Sequence, residues 1–272
     1  MCPRCQGTDH SFLTTRRIWK CKGCKRQFSV RVGTIFEDSP LGWEVWLPAI
    51  WLIANSKNSI SSHELGRALG ITQKSAWFFL HRIRLAMESR TFLKLSGTVE
   101  VDETYVGGGA KFMHKSARER RLTGRGGVDK TPVHGVVQRG GPIRAEVLEE
   151  ATRLRLQSNV RRWVAEGSNV YSDEAKAYAG LDKYFGHKAV NHSVEYVSGD
   201  VHTNTVENFW SLLKRALKGT QIHVDPEHLH RYVTERASAY NHRTETDLSR
   251  MRIAVSGVSG RRLTYAALTN DD

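Results

Sequence analysis

A chain of 272 residues, 39% of them hydrophobic, is long enough to bury one sizeable core and to carry small accessory modules. Its formal net charge of +13 favours a polyanionic partner, nucleic acid first among them. The longest apolar run, Leu47 to Ala54, is too short to span a bilayer, and Met1-Cys2-Pro3-Arg4-Cys5 has no apolar signal core. A cytoplasmic protein without a membrane partner is therefore expected.

The positive charge is unevenly spread. Residues 1–31 hold eight Lys/Arg and one acid, and residues 111–130 hold seven Lys/Arg and two acids. All four cysteines fall within the first 24 residues. Cys2-Pro3-Arg4-Cys5 and Cys21-Lys22-Gly23-Cys24 are paired-thiol knuckles separated by fifteen residues, which suits a single four-thiolate Zn²⁺ site. So short a segment cannot bury a core of its own, and metal binding would supply its folding energy. The spacing therefore predicts a zinc ribbon over residues 1–36, with Cys2, Cys5, Cys21 and Cys24 as ligands. Its cations, among them Arg16, Arg17 and Lys20, suit a DNA backbone.

Residues 40–92 read as helices. Trp43, Trp46, Leu47, Ile50, Trp51 and Ala54 recur at helical spacing, with Pro48 predicting a kink or a late start. Ser61 and Ser62 are N-cap candidates for a second helix through Leu69. Gly70-Ile71-Thr72 makes a turn, and a third helix runs from about Gln73 to Glu88 with Ala76, Phe79, Leu80, Ile83 and Met87 inward. These are the proportions of a helix-turn-helix. Gln73, Lys74 and Trp77 would face the major groove, with His81, Arg82 and Arg84 nearer the phosphates.

Residues 97–245 mix strands and helices. Thr98 to Val106 is β-rich and ends at Gly107-Gly108-Gly109, and a long basic loop follows. Pro132 to Gln138 and Ile143 to Leu148 pair as a hairpin turning at Gly140-Gly141. A helix is expected over about Ser158 to Glu166, a strand over Asn169 to Ser172, and helices at about 204–218 and 226–241, with Asp225 capping the last ahead of Pro226. Residues 246–272, ending Asn270-Asp271-Asp272, form a weakly patterned tail with no assigned role.

Three acids stand out. Asp102 and Asp173 fall near strand ends, and Glu207, with thirty-three residues between it and Asp173, falls near a helix start. Three carboxylates so placed can converge on hard divalent cations, which activate a water or a 3′-hydroxyl in phosphoryl transfer. Val206, Phe209, Trp210, Leu213 and Leu217 make the apolar face of the last-named helix. Asn204, Glu207, Ser211, Lys214 and Lys218 make a polar stripe, which sets a carboxylate and two phosphate-seeking lysines on one side. Glu100, Glu103 and Glu174, beside the aspartates, read as structural. His187, His192, His202 and His223 read as phosphate contacts or packed polar groups.

These motifs together resemble the zinc-ribbon insertion-sequence transposases of the IS1595 group, members of the DDE transposases. The matching stretches are the cysteine pairs, Gln27-Phe28-Ser29, Gly33-Thr34-Ile35-Phe36, Val101-Asp102-Glu103-Thr104-Tyr105-Val106-Gly107-Gly108 and Tyr171-Ser172-Asp173. His202-Thr203-Asn204-Thr205-Val206-Glu207-Asn208-Phe209-Trp210 with Lys214 completes the match, which spans about residues 2–245. The resemblance implies an α/β catalytic domain with a ribonuclease-H-like mixed sheet flanked by helices. It also implies DNA cleavage and joining with Mg²⁺ or Mn²⁺, two ions in number. Asp102 and Asp173 would be ligands, Glu207 the third, with Asn204 kept as an alternative ligand or orienting residue, and Lys214 and Lys218 would meet DNA. The partners implied are the element's terminal inverted repeats and target DNA, held by a dimer or larger homo-oligomer. Two other classes fit parts of the pattern. One is a DNA-binding regulator with an idle acidic site, and the other is a nuclease that cuts without joining.

Overall fold

The computed structural model describes residues 1–89, 91, 93–107, 130–173, 176–190 and 200–269. Gly108, Gly109, the basic loop over 111–129, Glu174, His192 and the terminal Asn270-Asp271-Asp272 lie outside the described residues. The chain divides into two compact units. The first comprises residues 1–56, 60–88 and 244–272, and the second 57–59 and 89–243.

The first unit opens with an antiparallel sheet of β1 (His10–Leu13), β2 (Ile18–Cys21) and β3 (Gln27–Phe28). Trp19 stacks on Phe28 and tilts against Phe12, the small apolar contribution that so short a segment can make. Helix α1 (Trp43–Asn55) contains Pro48 without being ended by it. Its buried residues are Trp46, Ala49, Ile50, Ile53 and Ala54, whereas Trp43, Leu47 and Trp51 are 38%, 44% and 38% exposed. The apolar set expected from sequence mixed two adjacent stripes, and only the one at steps of three and four from Trp46 faces the core.

Helix α2 (Ser62–Leu69) begins at a complete capping box: Glu64 N–H donates to the Ser61 hydroxyl, and Ser61 N–H donates to the Glu64 carboxylate. It ends at Gly70, with φ 65°. Helix α3 (Gln73–Ala86) begins at Thr72, whose hydroxyl accepts from Ser75 N–H. A Cβ on Gly66 would lie 3.0 Å from the Ile71 carbonyl, so a side chain there would press on the turn that follows. Ala76, Phe79, Leu80, Ile83 and Met87 all point inward, and Trp46 stacks on Phe79 at 3.8 Å.

Two arginines expected near DNA phosphates are inside this unit instead. Arg82 is 3% exposed, donates to the carbonyls of Leu263 and Glu37, and lies over the Phe78 ring. Arg84 is 1% exposed, and His81 is fully buried. They follow Ala76 and Phe79 on the turns of α3 that helix packing encloses, a fact the charge of an arginine hides.

The C-terminal segment belongs to the same unit. Helices α7 (Asp247–Ser256) and α8 (Tyr265–Thr269), the last of the chain, return to the helical core. Ala254 and Val258 join that core, Ile35 N–H donates to the Val258 carbonyl, and Arg261 donates to the carbonyls of Leu85 and Glu88. Ala254 is the one buried residue of α7, which is why its sequence shows little apolar periodicity.

The second unit is built on β4 (Thr98–Gly107), β5 (Lys130–Gln138), β6 (Ile143–Val147), β7 (Asn169–Asp173) and β8 (Gly186–Val190), in the sheet order β6-β5-β4-β7-β8. The first three run antiparallel as a meander, and β7 and β8 join parallel to β4. Strand β8, half exposed along the sheet edge, has too weak an alternation to stand out in the sequence. Helix α4 (Arg153–Trp163), capped by the Thr152 hydroxyl, starts five residues before its expected position. Its first turn is rich in arginine, and Leu156 is its first buried residue. It packs Leu156 and Val160 against Val99, Val101 and Val136.

The opposite sheet face, with Val133 and Val137, is covered by α5 (Asn204–Arg215) and α6 (Leu229–Asn241). The α-helical geometry of α5 stops at Arg215, and one π-helical turn, Ala216–Gln221, completes the expected span. A 3₁₀ turn, Pro226–His228, precedes α6, and the Asp225 side chain makes no capping bond.

Candidate functional site

Hairpins and register bring the four cysteines together. Their sulfurs all lie within 4.8 Å of one another, with Cys2 Sγ 3.8 Å from Cys24 Sγ and Cys5 Sγ 3.5 Å from Cys21 Sγ. A tetrahedron of Zn–S bonds of about 2.3 Å has edges of about 3.8 Å, so the four thiols fit a zinc ion. Two backbone bonds, Cys2 N–H to the Gly7 carbonyl and Cys21 N–H to the Arg26 carbonyl, shape the two knuckles.

In the second unit, Glu100 pairs with Tyr171 in the parallel ladder between β4 and β7. Asp102 and Asp173 each lie two residues further along, so pleat and register put them on the same sheet face, on neighbouring strands. Burial first, then the nearby charges of Glu103 and Asp173, pushes Asp102 up to about 7, and the Trp210 hydrogen bond works against that rise. Trp210 Nε1 donates to Asp102 Oδ2 at 2.8 Å. Glu103 turns to the other face, accepts from the Tyr178 hydroxyl at 2.5 Å and is itself raised, mainly by burial. Repulsion between Asp102 and Asp173, on one face of neighbouring strands, is what a bound divalent cation would relieve.

Glu207 lies three residues before Trp210 on α5, about one turn away, and its side chain is exposed. The Thr203 hydroxyl donates to Glu207 Oε1 at 2.9 Å. Asn204, Glu207, Ser211 and Lys218 are exposed and Lys214 is half-buried, while Val206, Phe209, Trp210, Leu213 and Leu217 are buried, which reproduces the two faces read from the sequence. Among the described residues, the four cysteines are the one group compact enough to be counted as a ready-made metal cluster, so Asp102, Asp173 and Glu207 are not drawn together as closely.

Of the α3 residues, Gln73 and Lys74 are exposed, whereas Trp77 is half-buried. Lys74 Nζ lies 4.6 Å from the centre of the Tyr265 ring, and Trp77 meets the same ring and that of His81 edge-on. Among the histidines, His187 Nε2 lies 2.9 Å from the Ser172 hydroxyl, and His202 Nδ1 lies 3.3 Å from Glu100 Oε1. His223 is exposed and pairs with Asp225.

Sequence reasoning missed Trp210 as a partner of Asp102, although its spacing from Glu207 offered a signal. It also missed Gly135: a Cβ there would lie 2.6 Å from the Trp210 ring, so the bare glycine is what lets the indole reach across β5 to Asp102.

Residues 1–27 match the transposase zinc-ribbon domain, and residues 94–241 match the ISXO2-like transposase domain. These two matches place the chain among the transposases. More narrowly, the chain belongs to the ISXO2-like transposase family. It is also 31% identical over 229 residues to an uncharacterized protein in transposable element ISH50 of Halobacterium salinarum, covering 79% of this chain and 77% of that protein. Among the described residues no helix is long and apolar enough to cross a membrane.

Proposed function

We propose that the protein binds the ends of an insertion sequence and performs metal-dependent cleavage and strand transfer on them. The observation that carries this reading is the placement of Asp102 and Asp173 on adjacent parallel strands, each two residues past the Glu100–Tyr171 pair, with Glu207 one turn from the indole that holds Asp102. The sheet order, a meander followed by two parallel strands, supports a ribonuclease-H-like fold for the second unit. Asp102, Asp173 and Glu207 would hold Mg²⁺ or Mn²⁺, and Glu207 is preferred to Asn204 because the Thr203 hydroxyl orients its carboxylate. The bound metal would activate the attacking water or 3′-hydroxyl and stabilise the leaving oxygen. Lys214 and Lys218, further along the same stripe, would contact the phosphates.

DNA binding is assigned to the first unit. Its zinc ribbon carries a cluster of cations, and the capped pair α2 and α3 supports a helix-turn-helix with Gln73, Lys74 and Trp77 as the contacting residues. Arg82 and Arg84 drop out of that set because they are buried. Two element ends must be held together for joining, so an assembly of at least two copies on DNA is part of the proposal.

Labelled element ends incubated with the protein and Mg²⁺ test this directly. A transposase binds, cuts and joins. Cutting without joining would replace the proposal with a nuclease, and binding without cutting would replace it with a regulator.

A further inference from the structure

Glu100 lies two residues before Asp102 on the same face of β4, and it is fully buried. Such a carboxylate is costly unless its lone pairs are satisfied. Here Glu100 Oε2 accepts from Thr205 N–H at 2.7 Å and Val206 N–H at 3.1 Å, and Oε1 accepts from the Thr205 hydroxyl at 2.8 Å. Those amides are two of the orphan donors of the first turn of α5. The residue at the capping position, Thr203, makes no side-chain cap bond. Its hydroxyl is given to Glu207 instead.

Arg139 completes the arrangement. Its Nε donates to Glu100 Oε1 at 2.6 Å, and its other nitrogens donate to the carbonyls of Asp200 and His202, in the residues leading into α5. The guanidinium lies 5.0 Å from the centre of the Tyr171 ring, two residues before Asp173. One ion pair, its carboxylate buried and its guanidinium half-buried, therefore touches the strand of Asp102, the strand of Asp173 and the residues leading into the helix that carries Glu207.

We propose that Glu100 is a positioning residue for the acidic site. By capping α5 from the strand that bears Asp102, it sets the register of the helix, and with it the place of Glu207 and Trp210, and it leaves Thr203 to orient Glu207. This inference rests on the metal-dependent reading of Asp102, Asp173 and Glu207 given above. Glu100 itself touches neither metal nor DNA.

The test uses the full-length protein and its Glu100→Gln and Glu100→Asp variants. Gln keeps the length but turns an amide toward donors, and Asp keeps the charge but falls one methylene short. Four quantities are measured: the thermal midpoint, affinity for end DNA, Mn²⁺ affinity without DNA by electron paramagnetic resonance, and single-turnover cleavage against Mg²⁺ concentration. End-DNA affinity is expected to stay within about twofold, while Mn²⁺ affinity and cleavage each fall by about 10- to 100-fold, the usual scale for residues that orient metal ligands.

Variants that remain folded, bind Mn²⁺ and cut as the parent does would overturn the inference. So would a cleavage loss matched by an equal loss of DNA affinity, because that pattern marks general damage. If both Glu100 variants fail to fold, Thr205→Val takes their place, since it removes one bond to Glu100 and keeps both amides. A fall in Mn²⁺ affinity is then expected, and an unchanged affinity overturns the inference. Asp102→Asn and Asp173→Asn controls separate the two levels. If those variants cut normally, the underlying reading fails. If they are inactive while the Glu100 variants match the parent, only the positioning role fails.

Discussion

Replacing Asp102 with Asn should make the metal-free protein more stable at alkaline pH. In the folded protein the carboxyl is raised from 3.8 to about 7, with burial the main cause and the charges of Glu103 and Asp173 adding to it. A raised acid binds its proton more tightly folded than unfolded, so stability falls as pH climbs from the unfolded value to the folded one. The shift is about three units, and at 1.36 kcal/mol per unit the penalty above pH 7 is roughly 4 kcal/mol. Asn carries no charge, and its amide oxygen still accepts from the Trp210 indole. The assay is urea unfolding of parent and Asp102→Asn in chelator at pH 5 and pH 8. Because pH 5 already lies above the unfolded value, the variant should gain on the parent by about 2.6 kcal/mol in going from pH 5 to pH 8, the larger part of that penalty. Adding Mn²⁺ at pH 8 should then raise the parent and leave the variant unmoved. A parent–variant difference that is the same at both pH values would mean that the site holds no destabilised charge.

Other substitutions separate structural from contacting residues. Gly135→Ala puts a Cβ 2.6 Å from the Trp210 ring, and it should cost about 1–3 kcal/mol in chemical denaturation while weakening cleavage, because the indole is pushed off Asp102. Arg82→Ala should lower the thermal midpoint through the loss of two carbonyl bonds and its ring contact, whereas Lys74→Ala should leave the midpoint unchanged and reduce the salt slope of DNA binding by about one. Chelation of zinc, or Cys21→Ser, should abolish the protection of β1 to β3 in hydrogen exchange and leave β4 to β8 protected; equal protection with and without metal would contradict the role given to the four thiols.

Much of the second unit was legible because its residues obey simple periods. The two faces of α5 follow from apolar and polar residues at steps of three and four, and β4 to β7 show themselves by β-rich runs between glycine turns. The paired cysteines were equally plain, since thiolate spacing is close to a geometric statement. The failures share a cause: tertiary context overrode local pattern. Arg82 and Arg84 look like surface cations until Glu37, Leu263 and the Phe78 ring enclose one and the packing of α3 encloses the other. The helix α7 hides because it buries one alanine, and β8 because it is a half-exposed edge. At the acidic site, Asp102 and Asp173 could be picked out from strand ends, but the reach of Arg139, just after β5, to the residues before α5 leaves no trace in sequence spacing. In the sequence Glu100 reads as structural; its period-two relation to Asp102 is visible there, and its partners are not.

Whether Asp102 and Asp173 form the metal-dependent centre of a DNA-joining enzyme is decided by single-turnover reaction of pre-bound element ends with Mg²⁺, comparing the parent with Asp102→Asn and Asp173→Asn. The parent should cut and join, while both variants should bind the ends with parental affinity and lose cleavage by at least about a thousandfold, of the size found when a group acting in the transition state is removed. Variants that cut and join at the parental rate would contradict it.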